Sequence, residues 1–185
     1  MLPLPSTNAD VAGYVSSELT IHHHRVRPRK RIAILVARFS TSMAKQQFIT
    51  HSTEETIALG RSLAGMLTPP RLVVLRGDLG AGKTTLVKGI AEAFKAASAQ
   101  EVTSPTFTLI HEYRGPQVTL YHIDLYRVDT PRQLETLGLD DLIADNAILL
   151  IEWGEKFPHL RQEQDMEIVL ERLGEDARKI QLTTG

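Results

Sequence analysis

"RGDLGAGKTTL", Arg76 to Leu86, places three glycines, one lysine and two threonines within eleven residues. Gly77, Gly82, Lys83 and Thr84 form the G-x-x-x-x-G-K-T pattern called Walker A. Glycine tolerates positive φ, so a turn through Gly77, Asp78, Leu79, Gly80, Ala81 and Gly82 can aim successive backbone N–H groups inward at an anion. A helix that begins at Lys83 points the positive end of its dipole at the same place. The Lys83 ammonium then reaches β and γ phosphates, and the Thr84 hydroxyl joins a magnesium shell. The bland alternative is a glycine-rich turn before an ordinary helix.

The surroundings support the cradle. "RLVVLRG" (71–77) is a short apolar run closed by glycine, which predicts a buried strand. "KTTLVKGIAEAFKAA" (83–97) has helical spacing at Leu86, Ile90 and Phe94. Upstream, "QQFIT" (46–50) predicts a strand. Ser52 with Glu55 predicts a capping box opening a helix that turns Ile57, Leu59, Leu63 and Leu67 to one face. Downstream, "TFTLIHEY" (106–113) and "QVTLYHID" (117–124), separated by "RGP", predict an antiparallel hairpin. "TPRQLETLGLDDLIA" (130–144) predicts one or two short helices, "AILLIEW" (147–153) a buried strand, and "MEIVLER" with "ARKIQLTT" a closing pair of strands. The expected fold is an α/β P-loop sandwich whose mixed sheet includes antiparallel strands.

A phosphate cradle needs acidic partners for magnesium and for the attacking water. Glu152 ends "AILLIE" and Asp124 ends "VTLYHID", so either can hold the metal directly or through water, or polarise the water. For Asp124 the plain reading is a strand-end or capping aspartate. For Glu152 a purely structural role is costly, because a carboxylate after five apolar residues needs a partner. Trp153, the only tryptophan, follows Glu152 and reads equally as a nucleotide neighbour, a partner contact or a core aromatic. No N-K-x-D guanine motif and no L-S-G-G-Q transporter motif occurs, which leaves adenine as the default base.

Together "GDLGAGKTTL", "TSPTFTLIHEY", "LYHIDLYRV", "PRQLETLGLDDL" and "LLIEWGEKF" resemble, in order and spacing, the TsaE family, small bacterial ATPases of tRNA threonylcarbamoyladenosine synthesis. The resemblance runs from about Gln47 to Thr183. It implies slow ATP hydrolysis by the protein alone and work alongside TsaB and TsaD, with tRNA met only through that complex. It assigns Lys83 and Thr84, with Thr85 beside them, to phosphate and magnesium. It makes Ser104, Pro105, Thr106 and Phe107 a switch-like loop whose Thr106 senses the γ-phosphate, although Ser-Pro-Thr is also a plain turn. It makes Asp124 and Glu152 the acidic pair, with Glu152 the stronger choice for magnesium. Tyr126 and Arg127 serve either the partner surface or the site. The implied ligands are ATP or ADP with Mg2+, and the implied location is the cytoplasm. Two other readings stay compatible: a small-molecule P-loop kinase, and a nucleotide-dependent docking switch that needs no hydrolysis.

Composition sets outer bounds. With 42% apolar and 23% charged residues the chain is in the globular range. It has no cysteine, which excludes disulfides, thiolate zinc sites and cysteine nucleophiles and fits a reducing compartment. No apolar run approaches the roughly 18 residues of a membrane helix, so no membrane partner is expected. Charge divides the chain. Residues 1–42 carry net +4 and include "HHHRVRPRKR", whereas 43–185 carry net -5. The first segment reads as a dispensable basic extension, without structure, or as a miscalled start with Met43 the true one; residues 43–185 read as the ATPase domain. An acidic body predicts weak, salt-dependent affinity for tRNA by itself.

Overall fold

The computed structural model describes residues 44–160 and 165–184. The reading of residues 1–42 falls outside them. Seven strands form one sheet in the order β1-β7-β6-β2-β5-β4-β3. Its centre is β2 (Arg71–Arg76) between β5 (Ala147–Glu152) and β6 (Met166–Arg172), all parallel. β4 (Thr119–Asp124) runs parallel to β5, and β3 (Ile110–Arg114) closes that edge antiparallel. At the other edge β7 (Arg178–Thr184) and β1 (Ala44–Thr50) add antiparallel pairings. The expected mixed α/β P-loop sandwich is the architecture observed.

Every residue of β5 is buried, as an apolar strand covered on both faces requires. The two-residue pleat sorts its side chains: Ile148 and Leu150 join a core with Val73, Leu75, Leu86 and Ile90, while Leu149 and Ile151 join one with Leu72, Val74, Ile123 and Leu134. The first core lies under α1 (Thr53–Ala64) and α2 (Lys83–Ala93), the second under α3 (Pro131–Thr136) and α4 (Leu139–Leu142). By the same alternation His122, Asp124 and Glu152 share the face that carries α2.

Several elements depart from the sequence expectation for identifiable reasons. The Ser52 hydroxyl accepts from Glu55 N–H at 3.1 Å, but the Glu55 carboxylate takes the amide of His51 at 2.7 Å, so only half of the capping box forms. The buried side of α1 is Thr56, Gly60, Leu63 and Ala64, with Ile57 and Leu59 only half-buried. This rotation follows from backbone contact with α2: a Cβ on Gly89 would stand 1.9 Å from the Ile57 carbonyl oxygen. α2 stops at Ala93 rather than at 97, because Lys95 adopts φ 54° and Ala96 N–H turns back to the Ala91 carbonyl at 2.9 Å. β3 begins at Ile110, not at 106. Residues 106–109 form a turn closed by Leu109 N–H on the Pro105 carbonyl at 2.6 Å, with Leu109 at φ 66°.

Candidate functional site

The helix starts differ in what meets their first amides; the four-residue α4 also opens on an uncapped glycine, Gly138, but carries Asp140 and Asp141 in its first turn. α1 opens on the Ser52 cap with Glu54 and Glu55 in its first turn. α3 opens on a complete Thr130–Gln133 capping box. α2 opens on Gly82, at φ 102°, with no side-chain cap and no acidic residue in its first turn. Its first amide groups therefore lack the usual side-chain acceptor and face the mouth of the 77–82 loop, where an anion satisfies them best. Gly77 has φ 146°, and a Cβ there would lie 2.4 Å from the Leu170 carbonyl oxygen, so the loop passes against β6 as only glycine allows. The side chain of Leu79 is 81% exposed, which leaves its main chain as what it offers to the loop.

Lys83 is buried, and its ammonium donates to the carbonyls of Gly77 at 2.6 Å and Asp78 at 3.0 Å. The same nitrogen stands 4.5 Å above the Trp153 ring centre and 3.8 Å from Glu152 Oε2. Trp153 therefore flanks Lys83 while packing against the edge of the second core, which is the core-aromatic reading. It sits at φ 61°, and Tyr126 tilts onto it at 5.3 Å between rings.

Glu152 organises the far wall. Buried at the end of β5, its Oε1 accepts from the Thr84 hydroxyl at 2.8 Å and from His122 Nε2 at 2.8 Å. A hydroxyl that gives its proton to a carboxylate keeps both lone pairs for a cation. Thr84 is thereby oriented as a magnesium ligand needs to be. Asp124, directly across the β4–β5 ladder from Glu152, is engaged differently. Its Oδ2 accepts from Thr106 Oγ1 at 2.6 Å and from Ser104 Oγ at 3.4 Å, and its Oδ1 accepts from the Tyr126 amide at 2.9 Å. The strand-end capping role is therefore real, and it ties the 104–107 loop to the acidic wall. Upstream, the loop is anchored by Thr103 N–H donating to the Tyr113 hydroxyl at 3.4 Å, and burial pushes that phenol above its ordinary pKa. Phe107, 82% exposed, is capped by the Arg127 guanidinium at 4.4 Å. Thr85 is half-buried in the first turn of α2 beside Thr84.

Among the described residues no cluster of three or more His, Asp or Glu could hold a metal alone. The donor set still fits magnesium. That ion is held through one or two protein groups, with water and substrate phosphates completing the octahedron. Two neighbours escaped the sequence reading. His122 lies within the "LYHIDLYRV" stretch without an expected role there, and its i, i+2 relation to Asp124 is what sets it on the same face. Arg178, at the start of β7, has its Nε 3.5 Å from where a Cβ on Gly82 would stand, and its Nη1 donates to the Glu175 carbonyl at 3.0 Å. No local pattern announces that contact.

Residues 50–180 match the family described as "Threonylcarbamoyl adenosine biosynthesis protein TsaE". Curated relatives named tRNA threonylcarbamoyladenosine biosynthesis protein TsaE include one from Rickettsia bellii, 38% identical over 141 residues, covering 76% of this chain and 96% of the relative. The one from Bacillus subtilis is 38% identical over 141 residues, covering 76% and 87%. That from Aquifex aeolicus is 38% identical over 137 residues, covering 74% and 95%. Among solved structures, Bacillus subtilis YdiB superposes with a TM-score of 0.62 at 34% identity, covering 78% of this chain and 88% of YdiB.

Proposed function

The chain belongs to the TsaE family, and on that premise we propose that it binds and hydrolyses ATP with magnesium as the ATP-driven component of tRNA threonylcarbamoyladenosine synthesis. The observation that carries the proposal is the convergence of Lys83, Thr84 and Glu152 at the uncapped start of α2. In this reading the amides of residues 77–85 wrap the polyphosphate. Lys83 exchanges the Gly77 and Asp78 carbonyls for β and γ oxygens. Thr84 holds magnesium together with Glu152 or Asp124, and the bound ion supplies neutralisation of charge developing on the β and γ oxygens. Glu152 orients and deprotonates the attacking water, and Thr106 meets the γ-phosphate once it leaves Asp124.

The proposed setting is the cytoplasm, with TsaB and TsaD as partners and tRNA reached through them. Among the described residues no helix is long and apolar enough to cross a membrane. Hydrolysis is slow in isolation and rises when the partners are present. The test is release of free phosphate from ATP with and without TsaB and TsaD, for wild type and Glu152→Ala. The reading expects Glu152→Ala to keep ATP binding and lose the stimulated turnover; unchanged turnover removes Glu152 from the chemistry. Phosphate transfer to an added small acceptor would point to a kinase instead.

The hold of Asp124 on Thr106, next to exposed Phe107, favours one second reading: the ATP or ADP state of the site controls docking, and turnover is incidental. A non-hydrolysable ATP analogue that sustains many rounds of tRNA modification would select this reading over the first.

A further inference from the structure

We propose that His122 is a positioning residue that locks the Glu152 carboxylate, committing Oε1 to the protein and reserving Oε2 for the reacting groups. The inference rests on the proposed role of Glu152. His122 is fully buried in β4, one pleat behind Asp124, and its ring is aimed at the end of β5. Its Nε2 lies 2.8 Å from Glu152 Oε1. A carboxylate only accepts hydrogen bonds, so Nε2 carries the hydrogen and, in the neutral ring, Nδ1 is bare. Nδ1 is buried and has no hydrogen-bond partner among the described residues. Leaving a buried polar atom unsatisfied is costly, and an apolar side chain at this place in a strand would avoid that cost. The histidine is therefore explained by what its other nitrogen does.

The second donor to Oε1 is Thr84 at 2.8 Å, and together the two donors occupy that oxygen. Oε2 is left on the side of Lys83, 3.8 Å from the ammonium. The Thr84 contact depends on a hydroxyl that also serves the metal, so it shifts with the state of the site. The His122 contact comes from the sheet and does not. A carboxylate with one fixed oxygen loses its freedom to rotate, and such outer contacts raise the precision and strength of the ligand they hold.

Three variants separate this role from a packing role. His122→Leu removes the donor and keeps comparable bulk. His122→Gln restores an N–H donor near the position of Nε2. Glu152→Gln removes the charge that His122 is proposed to hold. Each is measured for melting temperature, for metal-free ADP binding through Trp153 fluorescence, and for the magnesium concentration that half-saturates ATP hydrolysis in the presence of TsaB and TsaD. Nitrogen NMR of wild type reads the His122 tautomer directly. The expected result is unchanged metal-free ADP affinity in both His122 variants. His122→Leu should need on the order of tenfold more magnesium, and His122→Gln should fall within about twofold of wild type. NMR should place the hydrogen on Nε2. If Glu152→Gln abolishes turnover or disturbs its magnesium requirement but His122→Leu only lowers the melting temperature, the positioning role is overturned and the Glu152 reading survives. If Glu152→Gln leaves the magnesium requirement and turnover intact, both fall. A hydrogen on Nδ1 with none on Nε2, or a His122→Gln protein that folds yet matches His122→Leu, overturns the positioning role alone.

Discussion

Thr84 Oγ1 stands 2.8 Å from Glu152 Oε1, so the first turn of α2 and the last residue of β5 meet in one hydrogen bond between residues 68 positions apart. The bond gives the hydroxyl proton to Glu152 and leaves both oxygen lone pairs open to a cation. Thr84→Val keeps the shape and removes both the donor and the lone pairs. Its metal-free ADP affinity should stay close to wild type, because the loop amides and Lys83 remain. The gain in affinity on adding magnesium should shrink roughly 10-fold or more, the scale of one lost contact to a charged group. Trp153 fluorescence titrations with and without magnesium measure this, since Trp153 lies 4.5 Å from the Lys83 ammonium. An unchanged magnesium effect in Thr84→Val would remove Thr84 from the metal shell.

The loop glycines are not equivalent. Gly77 combines φ 146° with a Cβ position 2.4 Å from the Leu170 carbonyl oxygen, a backbone atom of a core strand that cannot move aside. Gly80 has φ 77° but open space around its Cβ. Gly80→Ala should therefore cost only backbone strain, about 1 kcal/mol. Gly77→Ala adds a backbone clash and should lose upwards of about 3 kcal/mol, with nucleotide binding lost alongside. Urea denaturation of the two variants tests the order; equal losses would mean that β6 does not confine the loop.

How much of this was readable in advance follows from the range of each interaction. The cradle was legible because glycine spacing, the lysine and the helix start are all local, and Glu152 because a carboxylate closing a buried run is conspicuous in any order of reading. The hairpin of β3 and β4 was legible, yet its first strand was read as starting at 106. Thr106, Phe107 and Thr108 have strand-like propensities, but the Thr106 hydroxyl is drawn to Asp124, 18 residues on, and the chain turns instead. Arg178 was not legible at all, because β7 is placed beside the loop through its pairing with β6. His122 was half-legible: its two-residue offset from Asp124 puts both on one face, but nothing local says which face holds the cradle.

The Thr106–Asp124 bond, at 2.6 Å, is the shortest side-chain tie of the 104–107 loop. Thr106→Val removes it and keeps the β-branched shape. The loop then rests on Ser104 at 3.4 Å from the same carboxylate oxygen and on the Thr103–Tyr113 contact. Binding of ADP should change little, because no part of this loop belongs to the cradle. Preference for a non-hydrolysable ATP analogue over ADP should fall by about tenfold, if the hydroxyl passes from Asp124 to the γ-phosphate. Calorimetric titration with both nucleotides decides it. A variant that retains the full preference would assign Thr106 to loop structure alone.

Glu92 gives the fold a defined acid sensitivity. Its Oε2 accepts from Arg61 Nε at 2.8 Å and its Oε1 accepts from the Ala99 amide at 3.1 Å, so one carboxylate joins α1, α2 and the chain that follows α2. The Arg61 hydrogen bond, ahead of the Ala99 bond, holds the Glu92 carboxyl below the usual glutamate range. A carboxyl whose folded pKa lies below its unfolded one stabilises the fold at every pH above the unfolded value. That contribution is lost as pH falls through the folded value. Glu92→Gln keeps an oxygen for Ala99 but sets an amide before the guanidinium. The melting temperature of wild type should therefore exceed that of Glu92→Gln at pH 7. The gap should narrow below about pH 4.3, where an ordinary glutamate begins to protonate, and close at lower pH. Because Arg61 is half-exposed, the neutral-pH gap should also shrink in 1 M salt. Melting curves of both proteins between pH 7 and pH 3 make the comparison. A gap that stays constant across this range would show that the side chain acts through packing and that the clasp on Arg61 carries no net stability.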